Sequence, residues 1–156
     1  MKHVSLGELG LHVERAGDGF PVILISGLNG LARYWSEQVP FLADHFTVIT
    51  HDQRGVGGSD GRQGACTIEE MGADVIAMMD ALEIPRAHVI GHSTGGAIAQ
   101  WLAIHHPKRV AALVLMSSWS KPDAYLRRFF LLRRKILETL GPQAYIEANS
   151  LRVFPA

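Results

Sequence analysis

The chain has 156 residues, 47% hydrophobic and 19% charged, a composition that supports one core and excludes a disordered, collagenous or low-complexity protein. Its formal net charge is zero, which argues against a general nucleic-acid binder, and its apolar runs fall far short of the roughly 18 residues of a membrane span. Residues 1 to 20 carry Glu8, Glu14, Arg15 and Asp18 with no apolar signal region, and Cys66 is the single cysteine, so no disulfide scaffold is expected and a cytoplasmic location is the default.

Taken in order, Leu11 and Val13 alternate with His12 and Glu14 at the period of a half-buried strand, and Gly17-Asp18-Gly19 supplies a turn. Phe20 to Ile25 is a continuous apolar run, which predicts a strand buried on both faces. Trp35, Val39 and Leu42 recur at helical spacing with Pro40 among them, and Phe46 to Thr50 reads as the next strand. Thr67-Ile68-Glu69-Glu70 is a capping box opening a helix with Met71, Val75, Met78 and Leu82 on one face. Pro85 ends that helix, Ala87 to Ile90 gives a short strand running into Gly91, residues 94 to 105 read as helical, and Pro107 stops them. Val110 to Met116 is expected to be another buried strand. Strand and helix alternate throughout, predicting an α/β protein with a mostly parallel sheet and helices on both faces.

Between the predicted strand and helix lies Gly91-His92-Ser93-Thr94-Gly95, a G-x-S-x-G. A serine on so tight a turn presents its hydroxyl outward, and the amides opening the helix point where an oxyanion would form. The bland alternative is a glycine-rich turn that only packs well, and the strand-to-helix context disfavours it. Asp52 follows a strand and tempts as a catalytic acid, but in a turn an aspartate more often holds backbone amides and pairs with a neighbour such as Arg54. Gly55-Val56-Gly57-Gly58-Ser59-Asp60 begins like a dinucleotide loop, yet Asp60 stands at the third glycine's position and no helix opens there. No histidine falls in a His-Glu-x-x-His pattern, so no metal site is expected; His105 and His106 are expected to cap their helix near Pro107.

The charges are uneven. Residues 1 to 107 carry 6 Lys and Arg against 12 Asp and Glu, and residues 108 to 156 carry 9 against 3. In the basic part Tyr125, Leu126, Phe129, Phe130, Leu132, Ile136, Leu137 and Leu140 share one helical face, Arg127, Arg128, Arg134 and Lys135 the other, and Arg133 the border. Such a helix could lie on an anionic membrane or form part of a lid over a pocket, and the second reading is preferred.

With these motifs in order, the chain resembles the α/β-hydrolase superfamily. Gly91 to Gly96 looks like its nucleophile elbow, Ser26-Gly27-Leu28-Asn29-Gly30 like its oxyanion loop, and Asp52 to Ser59 like the turn after its next strand. The resemblance implies Ser93 as nucleophile and the amides of Leu28 and Thr94 as oxyanion donors. Asn29, His92 and Trp119 are placed at the substrate pocket, with His92 packing beneath the site and Trp119 as readily explained by core packing. Many relatives carry histidine where this chain has Ser26. Ser117-Ser118-Trp119, the arginine-rich helix and Gln143 to Ala148 look like the aminoacrylate hydrolases of pyrimidine utilisation, and the 3-oxoadipate enol-lactonases are similar.

The resemblance implies residues 1–120 as the N-terminal part of the hydrolase core, residues 121–156 as the beginning of a helical cap, no metal or organic cofactor, and a small-molecule acyl substrate as the partner. The triad's acid and histidine should follow the nucleophile in that order. After Ser93 only His105 and His106 remain, both on the elbow helix, and Asp123 is a weak acid candidate. The chain is therefore expected to stop inside the cap, before acid and histidine, and to self-associate through the strand edge this leaves open. Two functions remain: hydrolysis of a small ester, lactone or related acyl compound through an acyl-serine, or a noncatalytic binding or assembly module.

Overall fold

The computed structural model describes residues 2–28, 30–61 and 66–153. The chain divides into two compact units, Met1–Ser120 and Lys121–Ala156.

The first unit holds strands β1 (Lys2–Leu6), β2 (Leu9–Ala16), β3 (Phe20–Ile25), β4 (Phe46–His51), β5 (Ala87–His92) and β6 (Val110–Met116), in the sheet order β1-β2-β4-β3-β5-β6. β1 pairs antiparallel with β2 and β2 antiparallel with β4, whereas β3, β4, β5 and β6 run parallel. Helices α1 (Val39–Ala43), α2 (Ile68–Ala81) and α3 (Thr94–His105) lie in the connections, with short 3₁₀ turns at Ala32–Trp35 and Pro107–Arg109.

Residues 22–25 of β3 are buried on both faces, as a central parallel strand requires, whereas Phe20 at its start is 45% exposed, against expectation. Ile23 and Ile25 join a core with Val75 and Met78 of α2 and Ile98 and Leu102 of α3. Val22 and Leu24 point the other way, onto Trp35 and Val48. Ile23, Leu24 and Ile25 have no exposed surface, and each contributes about 1.5–3 kcal/mol by leaving water. The capping box opening α2 is formed: the Glu70 amide donates to Thr67 Oγ1 at 3.1 Å and the Thr67 amide to Glu70 Oε2 at 2.9 Å. Pro40 lies in the first turn of α1 and starts that helix rather than kinking it.

Two expectations are corrected. Val110 to Met116 is a strand but not a buried one: Leu113, Val114, Leu115 and Met116 are 37–47% exposed. Among the described residues β6 pairs only with β5, so its outer edge is uncovered. Arg54 does not pair with Asp52. Its guanidinium takes both carboxylate oxygens of Asp74 on α2, which hold it charged, and leaves Asp52 to the backbone.

The second unit is α4 (Ala124–Val153), broken at Gly141, where φ is 82° and ψ 179°, and followed by Pro142. Arg133, the border residue of the helical pattern, is half-buried between rings. Its guanidinium carbon lies 5.3 Å from the Phe129 ring centre and 5.1 Å from that of Tyr145, and it donates to the Tyr145 hydroxyl across the break. Tyr125, Leu131, Leu132 and Leu140 are 57–70% exposed. No helix among the described residues is long and apolar enough to cross a membrane.

Candidate active site

The chain leaves β3 toward β4 on one side of the sheet and leaves β5 toward β6 on the other. The carboxyl ends of β3 and β5 therefore flank the point where the connections diverge, the usual crevice of an open α/β sheet. Ile25 pairs with Gly91 at that end, so the segments that follow, beginning at Ser26 and at His92, emerge side by side.

Ser93 sits between β5 and α3 with φ 55° and ψ −118°. A side chain at positive φ costs on the order of 1–3 kcal/mol and persists only where the surroundings enforce it. Here they do. The Ser93 amide donates to the Met116 carbonyl at 2.9 Å, the Gly96 amide to the Ser93 carbonyl at 2.9 Å, and the Ser118 hydroxyl to that same carbonyl at 2.9 Å. The three glycines make the turn sterically feasible: a Cβ on Gly91 would lie 2.4 Å from the Gly95 carbonyl oxygen, one on Gly95 2.1 Å from that of Ile25, and one on Gly96 2.4 Å from the Ser118 side chain. Backbone meets backbone at the first two positions, so only glycine fits.

Thr94 is the first residue of α3 and buried, and a first-turn amide has no acceptor within its own helix. The helix dipole also favours negative charge there. Against the elbow packs the loop after β3. A Cβ on Gly27 would lie 3.2 Å from Ser93 Cβ and 3.2 Å from His92 Nδ1, and the Gly30 amide closes a turn onto the Gly27 carbonyl at 3.0 Å with Leu28 at its second position. Leu28 is 49% exposed at this crevice. Asn29 lies outside the described residues.

His92 stacks its ring on Tyr34 at 4.9 Å between centres, and burial pushes its pKa below the ordinary histidine value. Its Nδ1 is buried without a hydrogen-bond partner among the described residues. Trp119 is half-buried, and its carbonyl accepts from Gln100 Nε2 at 2.9 Å. His105 ends α3, roughly 16 Å along the helix axis from Thr94; its Nδ1 lies 3.0 Å from the Trp101 carbonyl and its ring stacks on Trp101. The structure therefore brings Ser93, Thr94, His92 and the Gly27–Leu28 segment together and leaves His105 and His106 apart from them. Among the described residues the hydrogen bonds of the Asp52 carboxylate go to backbone: Oδ1 accepts the Ala32 amide at 2.7 Å and Oδ2 the Gly58 amide at 2.9 Å. No cluster of three or more His, Cys, Asp or Glu side chains suited to a metal occurs among the described residues.

Two partners of the site escaped sequence reasoning, Tyr34 and Ser118. Tyr34 lies in a 3₁₀ turn four residues past the Ser26 to Gly30 loop, and residue pattern does not mark it. Ser118 stands two residues past β6, and knowing β6 as the neighbour of β5 was the signal that could have found it.

A sequence profile described as alpha/beta hydrolase fold matches residues 21–153. The chain belongs to the α/β-hydrolase fold family. Among relatives of this chain, a protein of Variovorax paradoxus that carries the name carbamate hydrolase RutD is 44% identical over 94% of this chain and 56% of its own. A Caulobacter vibrioides protein of the same name is 38% identical over 100% of this chain and 60% of its own. The enol-lactonase of Burkholderia xenovorans LB400 superposes with a TM-score of 0.88 and 28% identity, over 97% of this chain and 59% of that one. The chain thus spans a little over half the length of the relatives it matches.

Proposed function

We propose that this chain carries the nucleophile and oxyanion hole of a serine hydrolase acting on a small acyl substrate, an ester, a lactone or a carbamate like that in its relatives' name. The observation that carries this reading is the positive φ of Ser93 at the junction of β5 and α3, held by four hydrogen bonds to its amide and carbonyl and by enforced glycines. Such strain at a crevice is what nucleophilic catalysis uses to present a hydroxyl.

In this reading Ser93 Oγ attacks the carbonyl carbon, and the negative charge that develops on the carbonyl oxygen is received by the amides of Thr94 and Leu28. Collapse expels the leaving group and leaves an acyl-serine, which water hydrolyses. A histidine must take the hydroxyl proton and pass it to the leaving group, and an acid must orient that histidine. His92 faces Tyr34 and His105 lies at the far end of α3, so we assign base and acid to parts of the whole protein other than these 156 residues. His92, Trp119 and Asn29 border the substrate, and residues 121–156 begin a cap.

Hydrolysis of p-nitrophenyl acetate tests this. Loss of the base costs on the order of 10⁶ in turnover, about 8 kcal/mol of transition-state stabilisation. The 156-residue chain alone is expected to work barely above buffer, and the whole protein to turn over in a way that Ser93→Ala abolishes. Turnover by the whole protein that survives Ser93→Ala overturns the assignment. Absence of turnover on esters, lactones and carbamates alike would favour a binding module.

A further inference from the structure

Leu28 owes its place to a turn whose two flanking carbonyls are held by one side chain and its own backbone. Gln53 follows β4 and is 7% exposed. Its Nε2 donates to the Ser26 carbonyl at 2.8 Å, on the entry side of the turn, and its amide donates to the Gly30 carbonyl at 2.8 Å, on the exit side. Between them the Gly30 amide returns to the Gly27 carbonyl. The side chain also fills the space beneath: a Cβ on Gly30 would lie 2.4 Å from the Gln53 carboxamide.

The Ser26 carbonyl is confined from the other side as well. A Cβ on Gly95, in the first turn of α3, would meet that oxygen at 2.5 Å, so the carbonyl is wedged between the elbow helix and the Gln53 amide. A buried carbonyl that loses its donor is left desolvated and unpaired, and the cheapest relief is for the peptide to turn. Turning the 26–27 peptide moves Gly27, which abuts Ser93, and swings Leu28 with it. Asp52, one residue earlier, holds the Ala32 amide beyond the turn with one carboxylate oxygen and the Gly58 amide with the other.

We propose that Gln53 is a positioning residue for the Leu28 oxyanion donor, acting by clamping the carbonyls of Ser26 and Gly30. This rests on the reading of Ser93 as a hydrolytic nucleophile. A merely space-filling side chain would be replaceable by leucine or methionine. A clamp would not, because neither can donate to Ser26. An oxyanion donor lost or misaimed by about 1 Å costs roughly 10²-fold in kcat, while ground-state binding is little affected.

The test compares Gln53→Leu and Gln53→Met with wild type in the whole protein, by hydrogen exchange over residues 26–32 and by ester kinetics. Exchange over residues 68–81 of α2 serves as the folding control, and Gln53→Met covers the case in which Gln53→Leu fails to fold. The proposal expects exchange at 26–32 to accelerate at least about tenfold with α2 unchanged, and kcat to fall by about 10- to 100-fold with KM within about threefold. Unchanged exchange at 26–32 in a folded variant overturns the clamp. So does faster exchange with kcat intact, since the donor's aim would not depend on Gln53. If the wild type has no Ser93-dependent turnover, the functional reading fails by itself and the exchange arm still decides whether Gln53 holds the loop.

Discussion

The hydroxyl of Ser118 donates to the carbonyl oxygen of Ser93 at 2.9 Å, joining the loop after β6 to the strained turn after β5. The bond runs between neighbouring strand ends and braces a residue whose conformation is unfavourable on its own. Ser118→Ala removes the donor and leaves that carbonyl with the amides of Gly96 and Ala97. Urea unfolding should show a loss of about 1 kcal/mol, the net value of one such bond. An unchanged midpoint would mean the brace is dispensable.

The glycines of the elbow differ sharply from those of the surface. A methyl at Gly95 would sit 2.1 Å from the Ile25 carbonyl oxygen, whereas one at Gly7 meets nothing within 4 Å and faces only its φ of +83°. Gly7→Ala should cost about 1–2 kcal/mol. Gly95→Ala should cost more than about 3 kcal/mol or yield insoluble protein, because backbone must move against backbone. Equal costs in parallel denaturation curves would remove the steric account of the elbow.

His51, at the end of β4, is fully buried, and burial lowers its pKa from 6.5 to about 4 against the opposing pull of Asp74 and Asp52. The folded state thus resists a proton that the unfolded state accepts below pH 6.5. Stability from this group is complete above about pH 6.5, falls as the pH drops toward 4, and changes no further below that. The loss across the window is on the order of 3 kcal/mol. Urea midpoints measured from pH 7 to 4 should show this slope, and His51→Phe should flatten it; an undiminished slope in that variant would place the effect on other groups.

Much of this architecture could be read from residue pattern. The apolar run at 20 to 25, the capping box at Thr67 and Glu70 and the G-x-S-x-G at Gly91 to Gly95 are local signals, and each stands where it was expected. What pattern could not supply is partnership across the sheet. Arg54 reads as a mate for Asp52 because the two are close in sequence, yet Asp74 meets it from α2. The strand 110 to 116 reads as buried because apolar periodicity reports residue type and not which neighbours arrive to cover it. β1 carries little apolar signal of its own and is specified by its pairing with β2. Gln53, beside the conspicuous Asp52, attracts no attention until its amide is seen on the Ser26 carbonyl.

The exposed apolar side chains of β6 carry a consequence for the isolated chain. Leu113, Val114, Leu115 and Met116 stand on a strand paired on one side only among the described residues, and an open apolar edge recruits further strands. We propose that the 156-residue chain associates through it. Light scattering should give species above 17.1 kDa that grow with concentration. A monomer at every concentration would count against this use of the edge.

The most direct measurement is of Ser93 itself. The whole protein is treated with a fluorophosphonate, which reacts with a serine hydroxyl activated by a base and received by oxyanion donors, and the adduct is mapped by peptide mass spectrometry. A single adduct on the peptide containing Ser93, absent from Ser93→Ala, is the predicted result. An adduct on another serine that persists in Ser93→Ala, or no adduct on a folded protein, would contradict the assignment of Ser93 as nucleophile.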